Sequence, residues 1–180
     1  METEQQLLNA IRGGDRQAMR RLYDRYSGYA MAVGLRYVPE REDVRDVLQD
    51  CFVKVLTNIG SFEYRGEGSL KNWVLRVMVN QSLDFLKKHR RMELTPEIPD
   101  LPEEEEADVG DVPPDELTAM IGRLPTGYRT VLNLYVFEQL SHQEIARQLG
   151  ISKNTSATQF MRARRLLTKM IKEYLKRQAI

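Results

Sequence analysis

Short hydroxyls, an amide and a guanidinium recur on one side of the last helix the sequence predicts. They are Thr155, Thr158, Gln159 and Arg162, at i, i+3, i+4 and i+7. Such groups match the donor and acceptor patterns that base edges present in the major groove of DNA. Lys153, Arg164 and Arg165 flank them and suit phosphates, contacts that position a protein without specifying a sequence. Upstream, Asn72, Arg76, Asn80, Asp84 and Lys88 recur at four-residue steps and run into Lys87-Lys88-His89-Arg90-Arg91. Phe62, Tyr64 and Trp73 lie close by. Cations that follow a backbone, with aromatic faces near them, are the ingredients of single-strand binding. Capturing one base also needs a loop with a pocket for an unstacked nucleotide. Trp73 fits a core position as well as a stacking one, so Tyr64, in a loop with Gly66 and Gly68, is the stacking candidate. Lys87 to Arg91 reads equally as a basic helix end that favours the macrodipole.

A third set is acidic. Asp43, Asp46, Gln49 and Asp50 share one face of a helix, with Val53 beside them. An acidic patch with an apolar neighbour suits docking onto a basic helical partner. The same pattern also describes a solvated surface. Catalytic chemistry finds little to work with. Cys51 falls on an apolar helix face, which predicts an inert core thiol. His142 falls in the first turn of a helix, mostly a surface position, and His89 in a basic run. No carboxylate pair, phosphate loop or metal-ligand spacing stands out, so no enzyme, catalytic residue, metal or cofactor is expected. One cysteine excludes a disulfide framework.

These sets need rigid helices beneath them. Asp15 caps a helix running toward Tyr37, with Ala18, Leu22, Tyr26, Ala30 and Val33 at helical spacing. Val44, Val47, Leu48, Cys51, Phe52, Val55 and Ile59 form one apolar face of the next, which Gly60 ends. Ser69 is placed to cap a long helix from Leu70 to about Arg91. Toward the C-terminus, Pro114-Asp115 starts a helix ending near Arg123, and Pro125, placed as a first-turn proline, leads to one ending near Gln139. Ser141-His142-Gln143-Glu144 reads as a capping box, Gly150 as the end of a short helix, and Ser152 as the cap of a last helix reaching about Lys176. Together, Ser141 to Arg164 fit a helix-turn-helix, in which Ala146 leaves room for the crossing and Gly150 takes the turn. A plain helical hairpin is the alternative. Phe160, Ala163, Leu167, Met170 and Ile171 form the core face of the last helix. No stretch alternates with period two, so the predicted class is all-α.

The net charge of +1 conceals a partition: residues 1–94 carry +3, residues 95–113 carry −8 and residues 114–180 carry +6. The acidic stretch holds Glu103 to Glu106 and is rich in proline, which predicts an extended linker between two lobes. The predicted domains are therefore 1–94, the linker 95–113 and 114–180. Basic lobes suggest a polyanionic partner. No apolar run approaches the roughly 20 residues of a membrane span. The start of the chain does not read as a secretory signal, so a cytoplasmic protein is expected.

DVLQDCFVKVLTNIGSF followed by KNWVLRVMVNQSLDFLKKHRR resembles region 2 of bacterial sigma-70 family sigma factors. LPTGYRTVLNLYVFEQLSHQEIARQLGISKNTSATQFMRARRLL resembles their region 4. With only an acidic linker between them, the plan resembles the extracytoplasmic-function (ECF) group over roughly Leu7 to Leu175. The resemblance implies a polymerase specificity subunit. Asp43, Asp46, Gln49, Asp50 and Val53 would meet the β′ clamp helices of core RNA polymerase, and the β flap would be a further contact. Tyr64, Arg65 and Ser69 would belong to the loop that captures a flipped base of the −10 promoter element. Asn80, Asp84, Lys87, Lys88 and Arg91 would lie along the −10 DNA. Ser152, Lys153, Asn154, Thr155, Thr158, Gln159, Met161, Arg162 and Arg165 would face the −35 element. The linker would pass near the RNA exit path as a mimic of nucleic acid. An anti-sigma partner and a monomeric free state are also implied.

Four positions depart from the family pattern. Asn154 stands where a glycine is common, Ala157 and Gln159 where basic residues are, and Ser156 on the inner face where an apolar residue is usual. Fewer cations should lower the salt dependence of −35 binding. The competing reading is a stand-alone helix-turn-helix regulator, which would bind a palindrome without polymerase.

Overall fold

The computed structural model describes residues 2–89, 110 and 112–179. Arg91 and almost all of the acidic segment lie outside the described residues. Those described form eight α-helices and one 3-10 turn, with no strand among them. The chain divides into two compact units, Met1–Lys88 and His89–Ile180.

The N-terminal unit holds α1 (Glu4–Arg12), α2 (Arg16–Tyr37), α3 (Arg41–Asn58), the 3-10 turn Ile59–Ser61 and α4 (Ser69–Lys88). Helices α2, α3 and α4 pack against one another around Leu22, Tyr37, Val44, Cys51, Val74 and Met78, all buried. At Gly34 three helices meet: a Cβ there would lie 2.3 Å from Met78 Cε and 2.5 Å from Val44 Cγ2. Asp15 caps α2 as expected, its Oδ1 accepting from the Gln17 N–H at 2.8 Å.

In this unit two features depart from what the sequence predicts. Helix α1 was not anticipated, although Thr3 and Gln6 form a reciprocal capping box: Thr3 Oγ1 accepts from the Gln6 N–H at 3.2 Å and Gln6 Oε1 from the Thr3 N–H at 2.9 Å. Ser69 is the first residue of α4 rather than its cap. Its hydroxyl donates to the Gly66 carbonyl at 2.6 Å and accepts from the Arg65 N–H at 3.2 Å, so it closes the preceding loop. Gly66 and Gly68, at φ 108° and 90°, allow that loop to turn.

The C-terminal unit holds α5 (Pro114–Gly122), α6 (Thr126–Val136), α7 (His142–Leu149) and α8 (Lys153–Gln178). Pro125 is the N-cap of α6 rather than its first-turn residue. Arg129 is buried and donates from Nη1 to the Gly122 carbonyl at 3.1 Å and the Leu124 carbonyl at 2.8 Å, which ties the end of α5 to α6. Helix α6 stops at Val136, short of Gln139, because Gln139 takes φ 55° and the Leu140 N–H turns back to the Leu134 carbonyl at 3.1 Å. The face of α8 predicted to be internal is so: Ala163 and Ile171 are buried, with Phe160, Leu167 and Met170 packed partly against them or their neighbours. Among the described residues, no helix is long and apolar enough to cross a membrane.

Candidate nucleic-acid interface

The loop between the 3-10 turn and α4 borders a cavity of about 470 Å³, lined by Ser61, Phe62, Glu63, Arg65, Ser69, Asn72, Trp73 and Arg76. Phe62 and Trp73 stack with centroids 4.8 Å apart and planes 29° apart. Trp73 is half-buried, packs on Phe62 and lines the cavity. Arg65 pairs with Glu63 at 3.2 Å in the same lining. The cavity therefore offers aromatic surface, two hydroxyls, an amide, a carboxylate and two guanidinium groups to a planar polar ligand. Tyr64 is absent from the lining; its hydroxyl donates to Glu67 Oε2 at 3.4 Å. Its pKa is raised, first by burial and then by the Glu67 carboxylate.

From this cavity the exposed side chains Asn72, Arg76, Asn80, Asp84, Lys87 and Lys88 continue along α4. Residues four apart share a helix face, so most of these form one stripe leading from the cavity. On α3, Asp46, Gln49 and Asp50 are exposed and Asp43 is half-buried, while Val53 is 65% exposed, high for an apolar side chain. Exposed Tyr23 of α2, not singled out from sequence, packs on Phe52 of α3 with centroids 4.8 Å apart.

In the C-terminal unit the helix-turn-helix closes as its residues require. Ser141 Oγ accepts from the Glu144 N–H at 3.3 Å, and Glu144 Oε2 accepts from the Ser141 N–H at 2.8 Å. That exchange holds the Glu144 carboxyl below its usual pKa, with the Ser141 side chain first and its backbone second. Gly150 turns at φ 69°, and Ser152 caps α8 by accepting from the Thr155 N–H at 2.9 Å. Ser152, Lys153, Asn154, Thr155 and Met161 are exposed, whereas Thr158, Gln159, Arg162 and Arg165 are half-buried. Thr155 is also held by its hydroxyl, 2.8 Å from that of Ser152.

His142 is not the surface residue its position suggested. Its ring stacks on Tyr135 at 4.7 Å, and its Nδ1 lies 2.9 Å from the hydroxyl of Ser156. That contact explains how a serine is tolerated at a fully buried position of α8, because a buried hydroxyl needs a partner. Cys51 is fully buried, and burial pushes its thiol pKa up to about 12, consistent with an inert core residue. Among the described residues no group of histidine, cysteine and carboxylate side chains is arranged to hold a metal.

Two family models match the chain in order: Sigma-70 region 2 over residues 22–92 and Sigma-70, region 4 over residues 115–167. The ECF RNA polymerase sigma-E factor of Haemophilus influenzae is 30% identical, covering 94% of this chain and 95% of that protein. The RNA polymerase sigma-H factor of Pseudomonas aeruginosa is 26% identical, and the ECF RNA polymerase sigma-E factor of Escherichia coli K12 is 27% identical; each alignment covers 97% of both chains. A solved structure of CnrH in complex with the cytosolic domain of CnrY matches at 25% identity with a TM-score of 0.48, covering 93% of this chain and 96% of that one.

Proposed function

This chain belongs to the sigma-70 family as a sigma factor of the extracytoplasmic-function group, and on that premise we propose how its residues divide the work. A sigma factor is a non-enzymatic initiation factor that acts with RNA polymerase on promoter DNA. In the proposed division, residues 1–94 bind core polymerase and the −10 element, and residues 114–180 bind the −35 element. The acidic residues 95–113 join them. Two weak DNA contacts on one chain reinforce each other, because the second binds at a raised effective concentration.

The cavity beside Phe62 and Trp73 carries the −10 reading. A base leaving the duplex loses its stacking, and an aromatic wall with polar groups at the rim compensates that loss. Arg65 and Ser69 then contact the captured nucleotide, with Tyr64 supporting the loop through Glu67. Asn80, Asp84, Lys87, Lys88 and Arg91 follow the strand. For the −35 element, Ser152, Lys153, Asn154 and Thr155 approach from the N-terminal end of α8, where the helix dipole favours phosphate although Ser152 already caps the Thr155 N–H. Thr158, Gln159, Met161, Arg162 and Arg165 lie further along. Asp43, Asp46, Gln49, Asp50 and Val53 dock on the β′ clamp helices, and the C-terminal unit meets the β flap. Free of partners the chain is a monomer, and an anti-sigma protein binds it and holds it inactive in the cytoplasm, where the polymerase works.

Replacing Asp50 with arginine reverses the sign of an exposed group in the proposed docking face. Affinity for core polymerase, measured by fluorescence titration, is expected to fall about tenfold. Affinity equal to that of the unsubstituted chain would remove α3 from the interface. Binding of a palindromic duplex without polymerase would instead favour a stand-alone regulator.

A further inference from the structure

Helix α1 has no part in the roles above, yet it is bonded to both flanks of the cavity loop. Glu4 is 2% exposed. Its carboxylate accepts from the Tyr26 hydroxyl at 2.7 Å, the Leu70 N–H at 2.9 Å and the Lys71 N–H at 3.0 Å. Those two amides belong to the first turn of α4, where backbone donors have no partner within the helix and negative charge is favoured. The Glu4 N–H in turn donates to Glu67, at 3.1 Å to Oε2 and 3.3 Å to Oε1. Glu67 also accepts from Arg25 Nη2 at 3.2 Å. At the far end of α1, Arg12 Nη2 donates to the carbonyls of Ile59 and Gly60, both at 3.4 Å, and to that of Phe62. Between these anchors runs the segment that supplies Ser61, Phe62, Glu63, Arg65 and Ser69 to the cavity.

We propose that Glu4 and Arg12 are positioning residues for −10 recognition: α1 clasps the loop at both flanks and presents the cavity preformed to the incoming base. This rests on the cavity being the base-capture site. Without the clasp, ordering the loop becomes part of the cost of binding DNA, and affinity falls accordingly. Neither side chain lines the cavity, so both act through the loop rather than by contact.

The test uses the full chain with core polymerase and two labelled non-template strands from a promoter recovered by run-off transcription. One strand is intact and the other lacks the base at the captured position. Glu4→Gln removes the charge while keeping the shape, and Arg12→Ala acts at an exposed position where folding is least at risk. Each is expected to weaken binding of the intact strand about tenfold, with the abasic strand changed less than about twofold and core affinity unchanged. Arg12→Lys, which keeps a donor, should recover most of the loss. Trp73 is the one tryptophan of the chain and lines the cavity, so its acrylamide quenching in the free protein should rise in the first two variants. If the unsubstituted chain binds both strands alike, the base-capture reading fails and takes the clasp with it. If it distinguishes them and the variants do so equally well, the clasp alone is overturned. Equal losses on both strands, accompanied by loss of core affinity, would also overturn it, since α1 would then be a general stabiliser.

Discussion

In the C-terminal unit, the box that starts α7, the left-handed turn at Gly150 and the cap of α8 all lie between Ser141 and Ser152. In the N-terminal unit, the loop that makes the cavity is held by bonds from Glu4 to Leu70 and from Arg12 to Phe62, spanning 66 and 50 residues. The first site is specified by neighbours in sequence, and its capping and turn chemistry appears in order along the chain. The second exists only after α1, α2 and α4 have come together. A locally built reader should survive changes elsewhere in the molecule. A cavity assembled at long range should respond to distant ones.

The largest expected effect lies at Gly34, where α2, α3 and α4 meet without room for a side chain. Gly34→Val puts side-chain atoms where Met78 and Val44 already are, and overpacking of this kind costs about 1–3 kcal/mol. Chemical denaturation should register that loss in the N-terminal unit, along with weaker −10 binding. A Gly34→Val chain as stable as its parent would mean that the three helices have slack.

Acid comes next, as a probe of the long-range contact made by buried Glu4. In Glu4, burial pushes the carboxyl pKa up, but hydrogen bonds from Tyr26, Leu70, Lys71 and Gly68 outweigh it, and the net shift is downward from the usual 4.5. A carboxyl depressed on folding stabilises above its unfolded pKa, and that contribution is lost as pH falls through the folded value. The N-terminal unit should therefore lose stability on titration below pH 4.5, and Glu4→Gln should flatten the slope. Identical slopes for the two chains would show that Glu4 contributes no linkage.

The smallest of the three effects is local. Gly150→Ala forces a left-handed φ of 69° on a residue with a Cβ, at a cost of about 1 kcal/mol. It should lower the melting temperature of the C-terminal unit and weaken −35 binding, while leaving acrylamide quenching of Trp73 unchanged. A change at Trp73 would erase the contrast between local and long-range construction.

The same contrast explains what could be read in the sequence. The all-α class, the caps at Asp15, Ser141 and Ser152 and the internal face of α8 follow from spacing and short-range chemistry. Helix α1 carries a local signal in Thr3-Glu4-Gln5-Gln6, a capping box ahead of Leu7 and Leu8, but at nine residues its polar composition leaves the apolar periodicity short. No local pattern foretells that Glu4 would cap α4 or that Arg12 would hold the Phe62 carbonyl. His142 and Ser156 likewise lie 14 residues apart on different helices, so a serine that looks out of place gains its reason only in three dimensions. Tyr64 stood out as the aromatic of a glycine-rich loop, but Phe62 and Trp73 line the cavity because residues on either side of the loop fold together.

The most direct test of the account is run-off transcription by core polymerase across genomic fragments, with and without this chain. The account predicts new transcripts that start at a fixed distance from paired −10 and −35 elements and disappear when either element is replaced. Co-purification without any chain-dependent transcript, or no association with the core enzyme at all, would contradict it.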